Sequence, residues 1–85
     1  MIHNLKIKPE FFKAVISGQK TFEIRNNDRD FQAHDFVVLR EFDCRTGFTG
    51  SQAHTQIKYV SSYNQAPGFV VFGFELLHFK EEFNL

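Results

Sequence analysis

The sequence predicts an α+β, mainly β fold: a small mixed barrel of about five strands with one short helix packed over an opening. Two patterns predict it. Short runs in which polar and apolar residues alternate, the period of half-buried strands, recur between clusters of Gly, Pro, Asn and Asp. One stretch, between the first and second of these runs, instead carries apolar residues at three- and four-residue spacing. With 85 residues the chain makes one domain, residues 1–85, around one small core. Closing the sheet into a barrel would remove the edges that invite aggregation.

Each element has its own warrant. His3 to Lys8 alternates, with Leu5 and Ile7 on one face, and makes the first strand. Pro9 suits the first turn of a helix, Phe12, Val15 and Ile16 form its apolar side with Phe11 adding bulk, and Gly18 ends it, giving a helix over 9–17. Thr21 to Arg25 is the second strand, with Phe22 and Ile24 expected toward the core and Thr21, Glu23 and Arg25 outward. Asn26 to Asp30 is a polar turn whose far end Phe31 pins to the core, and His34-Asp35 is a second turn. Phe36 to Phe42, with the β-branched pair Val37 and Val38, suits a central strand. Thr46 to Gly50 is a connection of hairpin length, and Ala53 to Tyr63 follows as a long strand with Ile57, Tyr59 and Val60 expected inward. Gly68 to Leu77 is the most apolar run and fits a buried strand in which Gly73 marks a bend or bulge. The tail from Lys80 to Leu85 has no counterpart to fix it and is expected to fray.

Composition narrows the function classes. A formal net charge of zero argues against a protein that coats nucleic acid by bulk electrostatics, while leaving room for a local basic pocket. Twelve of the fourteen aromatics are Phe and none is Trp, so most rings are expected in the core. The single Cys44 excludes an internal disulfide, and a reducing, cytoplasmic setting is the natural expectation. No leader and no apolar run of membrane-crossing length is found, so no membrane partner is expected. There is no phosphate-binding glycine loop, no cysteine pair, no two His at metal spacing on a helix and no Gly-x-Ser-x-Gly elbow, so neither a metal nor a cofactor is expected. His3, His34, His54 and His78 are scattered and expected at the surface or in turns. Cys44, although beside Arg45, is expected to be an ordinary thiol. Tyr59 and Tyr63 are expected to cap the barrel with their hydroxyls at the surface.

The charged stretch from Gly18 to Phe31 stands apart. If the second strand lies beside the helix end, Lys20, Thr21, Glu23 and Arg25 converge with Arg29 on one rim. Such a set supplies cations for a phosphate, a planar guanidinium for bidentate or stacking contacts, and a carboxylate that can accept from a base amino group. The competing account is structural: Glu23 and Arg25 neutralise neighbours across the sheet, and Arg25 or Arg29 is tied to Asp28 and Asp30 in the turn.

His3-x-Leu-Lys-Ile-x-Pro9-Glu-Phe, Gly18-x-Lys-Thr-x-Glu-Ile-Arg25-x-Asn-Asp-Arg-Asp-Phe31, Asp35, Tyr59 and the closing Gly68-Phe-Val-Val resemble the small bacterial and phage ASCH-like domains of unknown function in the PUA-like superfamily. The resemblance implies a PUA-like β-barrel with a helix across one opening and a cleft between the two, lined by the Lys-Thr strand. It also implies an RNA or modified-nucleoside ligand, and it singles out Lys20, Thr21, Glu23, Arg25, Asp28 and Arg29. One ASCH branch removes acetyl from acetylcytidine with a Lys and a Thr in a Gly-x-Lys-Thr-x-Thr-x-Arg segment and a later Glu. Lys20 matches that lysine, but Glu23 stands at the nucleophile position and 49–67 contains no acid, so two of the three parts are absent. His34 occupies a turn position where relatives often carry Gly, which implies an uncommon backbone conformation there.

The leading expectation is therefore a binding module for RNA or a nucleotide, with its cleft between the helix end and the second strand. The alternative is a small hydrolase acting on RNA or a modified nucleoside, with Glu23 as general base and Lys20 and Arg25 stabilising developing charge. A third class, an accessory protein that binds another protein, would show as a contiguous exposed Phe patch.

Overall fold

The computed structural model describes residues 1–82. Its elements are β1 (Ile2–Ile7), α1 (Pro9–Ile16), β2 (Phe22–Asn26), β3 (Phe36–Asp43), β4 (Gly47–Ser61) and β5 (Phe69–Lys80). The order of one helix and five strands is the expected one, and the fold is α+β, mainly β. The strands lie in one curled half-barrel sheet in the order β1-β3-β4-β5-β2. β1 runs parallel to β3, and the remaining neighbours are antiparallel.

Leu5, Ile7, Phe31, Val37, Leu39, Ala53, Ile57, Val70, Phe72 and Phe74 form the concave core, closed by Phe12 and Val15 of α1. The helix packs across this hollow against β3, β4 and β5, as its apolar spacing requires. Pro9 occupies its first turn and needs no intrahelical N–H partner. After Ser17, Gly18 takes φ +83°, a conformation that glycine adopts without a Cβ clash, and the chain turns toward β2.

Several expectations are corrected. The sheet does not close: β1 and β2 are its two edges and do not pair with each other among the described residues. The faces of β2 are inverted. Phe22 and Ile24 are 46% and 52% exposed, whereas Glu23 is 5% exposed. Pairing explains this, because Glu23 lies opposite Phe72 and Arg25 opposite Val70, both core residues of β5. Phe22 and Ile24 consequently stand on the outer face.

β4 begins at Gly47, six residues earlier than expected, and Tyr59 is 72% exposed rather than inward. A register shift is responsible: Ile57 pairs with Phe74 and Tyr59 with Gly73, so Lys58 is an extra residue and both it and Tyr59 face outward. The bulge expected at Gly73 thus lies opposite it, on β4. β5 runs on to Lys80, which pairs with Gln52, and the Glu82 amide donates to Ser51 Oγ at 2.8 Å. That part of the tail is held, while Phe83 to Leu85 lie outside the described residues. Among the described residues six Phe rings are exposed and four are buried, so these rings are not mostly core. His3 is buried rather than superficial. Phe31 is buried as expected, and His34 takes φ +75°.

Candidate functional site

The two unpaired edges face each other across a seam. On β2, the inner side chains Glu23 and Arg25 have no neighbouring strand to cover them on the far side, and they emerge into that seam. Lys20 arrives from the α1–β2 loop, where the amides of Gln19 and Lys20 both donate to the Ala14 carbonyl at 3.0 Å. Lys20 Nζ donates to Glu23 Oε1 at 2.8 Å and to the Phe22 carbonyl, and lies 4.4 Å from the Phe22 ring centre. Arg25 Nε donates to Glu23 Oε2 at 2.8 Å, and its Nη2 reaches the Lys6 carbonyl on β1 at 2.6 Å. Both carboxylate oxygens of Glu23 are thereby engaged. A buried carboxylate requires this kind of compensation, since an unpaired charge in that position would carry a desolvation penalty of several kcal/mol, on the order of 3–5 for a broken buried pair.

The seam holds two adjoining chambers. The first, of about 420 Å³, is walled by residues of β1, the Arg25 to Phe31 segment, β3 and the start of β4, including Asn4, Asp28, Arg29, Arg40 and Phe48. The second, of about 530 Å³, is walled by Lys8, Phe11, Lys20, Phe22, Glu23 and their neighbours. Lys6 and Arg25 belong to both. At the first chamber the Arg40 guanidinium lies 4.1 Å from the Phe48 ring centre, and Lys6 Nζ lies 4.4 Å from that of Phe42.

Charge is concentrated here. Lys6, Lys8, Lys20, Arg25, Arg29 and Arg40, six of the ten basic residues, line the chambers, against Glu23 and Asp28, two of the ten acids. A chain of zero net charge thus carries four net positive charges along one groove. Lys6, Lys8, Arg29 and Arg40 form no ion pair among the described residues.

Of the residues singled out in the sequence, Lys20, Glu23 and Arg25 are linked directly. Asp28 and Arg29 join Arg25 in the first chamber, and Arg29 is not tied to Asp28 or Asp30. Thr21 is exposed and walls neither chamber; its carbonyl accepts from the Phe74 amide at 2.9 Å. Lys6, Lys8, Arg40 and Phe48 were not legible as site residues. The polar positions of Lys6 in β1 and Arg40 in β3 are visible in the alternation, but nothing local says that β1 ends up facing β2, or that Lys8 and Phe48 line the same seam.

Two other polar groups lie elsewhere. His3 Nε2 donates to Asp35 Oδ2 at 2.8 Å, beneath the Phe31 ring at 4.8 Å. That bond, with the Gln32 amide and the terminal ammonium assisting against the cost of burial, holds the Asp35 carboxyl below its usual range. His54 and His78 face each other across β4 and β5 with rings stacked at 4.3 Å. Burial first, and the charge of His78 second, hold His54 below the ordinary histidine value. No helix among the described residues is long and apolar enough to cross a membrane.

A family model described as a domain of unknown function (DUF3850) matches residues 2–74. The chain is also 32% identical over 60 residues to a protein of Escherichia phage P2 described as an uncharacterized 12.9 kDa protein in the GpA 3' region. That match covers 71% of this chain and 54% of the phage protein, so the chain spans about half the length of this relative.

Proposed function

The chain belongs to the DUF3850 family, and from the seam we propose that it is a binding module for RNA or a nucleotide. One observation carries the proposal: four net positive charges line a single groove of a neutral protein, beside the half-exposed rings of Phe11, Phe22 and Phe48. Cations with adjacent π-faces suit a ligand made of phosphates and bases. Every seam residue falls inside the segment that the family model matches. A helix laid over a curled sheet, with the cleft beside the Lys-Thr segment, accords with the ASCH-like resemblance and supports our proposal that the domain is PUA-like. Fold likeness alone would not point to a ligand; the charge distribution is what supports this one. A cytoplasmic setting fits the exposed, unpaired Cys44.

In this reading Glu23 is a positioning residue. Its two ion pairs fix Lys20 and Arg25 in the groove before a ligand arrives, which lowers the ordering cost on binding. The decisive measurement is a titration of short RNAs at low and moderate salt, comparing wild type with Arg29→Gln and Arg40→Gln. These two are chosen because removing Lys20 or Arg25 would leave Glu23 under-compensated and confound binding with folding. Each loss is expected to weaken binding and to reduce the salt dependence by about 0.7 in the log–log slope per phosphate contact. Unchanged affinity and slope in both variants would remove the seam from consideration.

A further inference from the structure

We infer, on the nucleotide-binding reading above, that the ligand is single-stranded and spans two successive nucleotides, with the phosphodiester that joins them seated between Lys6 and Arg25. The two chambers, of about 420 and 530 Å³, share Lys6 and Arg25 in their walls and differ in all the rest. Each volume lies in the lower part of the roughly 300–1,000 Å³ range of small-molecule pockets, room for one nucleoside apiece. The boundary between them is where a linking group must pass.

The chemistry of that boundary suits an anion. Glu23 and the Lys6 carbonyl engage Arg25 through Nε and Nη2, which leaves the rest of a five-donor fork facing the groove. The Lys6 ammonium, held above the Phe42 ring, forms no ion pair among the described residues. A guanidinium fixed by two partners together with an ammonium that has no ion pair among the described residues is a seat for a singly charged phosphodiester. Each flanking chamber also has its own stacking wall, Phe48 with the Arg40 guanidinium on one side, Phe11 and Phe22 on the other. A duplex is excluded by width. Arg25 extends from β2 to the backbone of β1, so the seam is no wider than one arginine side chain can span.

The test is a series of affinities measured with the full chain at low salt: a nucleoside monophosphate, the dinucleotide, the same dinucleotide with a neutral methylphosphonate link, a tetranucleotide and a blunt duplex. The dinucleotide is expected to bind at least about tenfold more tightly than the monophosphate, the increment of one added stacked base. The methylphosphonate link and Lys6→Gln are each expected to remove most of that gain. The duplex is expected to bind more weakly than the tetranucleotide. A monophosphate that binds as tightly as the dinucleotide, an indifferent methylphosphonate, or a duplex that competes equally would overturn the two-nucleotide seat while leaving nucleotide binding intact. Failure of the whole series to bind would overturn both.

Discussion

At the scale of single residues, Glu23 lies on the face opposite to the one its alternation predicts. Alternation in Thr21 to Arg25 was legible, but the rule that sends apolar side chains inward assumes that the inner face is closed. At the seam it is open, so a carboxylate with two cationic partners occupies the inner position and Phe22 and Ile24 stand outside. No local signal distinguishes the two cases. His34 was legible, by contrast, as a turn residue in a strained conformation. Its φ of +75° costs an L-residue about 1 kcal/mol, and its hydrogen bonds to Ile57 and Gln56 come from its backbone, not its ring. His34→Gly is therefore expected to raise the midpoint of urea unfolding, and a lowered midpoint would show that the ring contributes more than the strain removes. Asp35 couples stability to acid. Its folded pKa lies below the ordinary 3.8, so its contribution is fully present above that value and is lost as pH falls through the lower folded value. Asp35→Asn is expected to be less stable at neutral pH and to show a shallower loss of stability below pH 3.8, readable from unfolding curves across that window.

Among the elements, α1 was the most completely legible: proline start, glycine exit and a single apolar side all follow from adjacent residues. It is also where the small core is most concentrated. Phe12 and Val15 are its two fully buried side chains, and Phe12→Ala is expected to cost about 3–5 kcal/mol, a large share of the roughly 5–15 kcal/mol that stabilises a small domain. Far-UV circular dichroism during urea titration would show either an early transition or an unfolded chain. A loss below about 1 kcal/mol would mean that the helix is not the lid of the core. The strands were legible in number and order, less so in extent and face. β4 shows why: Gly47, Thr49 and Gly50 look like a turn locally, yet pairing of Phe48 with Phe42 and of Gly47 with Asp43 carries the ladder through them. Its one extra residue, Lys58, then reverses the direction of Tyr59. Neither event leaves a mark in the period-two pattern, because both are decided by the partner strand.

For the whole molecule, the sequence showed zero net charge and concealed its segregation, since the six seam cations come from β1, the β1–α1 junction, the α1–β2 loop, β2, the turn after it and β3. Outside the seam the chain is correspondingly acidic, which would direct the proposed anionic ligand to one groove instead of the general surface. The order of the sheet has a further consequence, for how the groove comes into being. β3, β4 and β5 are neighbours in sequence as well as in space, whereas β2 must meet β5 and β1 must meet β3 across long intervening chain. Loop closure makes such distant pairings late. The central three strands are expected to hold their amide hydrogens longest in exchange experiments, with β1 and β2 exchanging through cheaper local openings. Equal protection in all five strands would contradict that order. In a refolding experiment, recovery of ligand affinity would then lag behind recovery of secondary structure, because the seam proposed to bind it is the last gap left when the two ends of the sheet arrive.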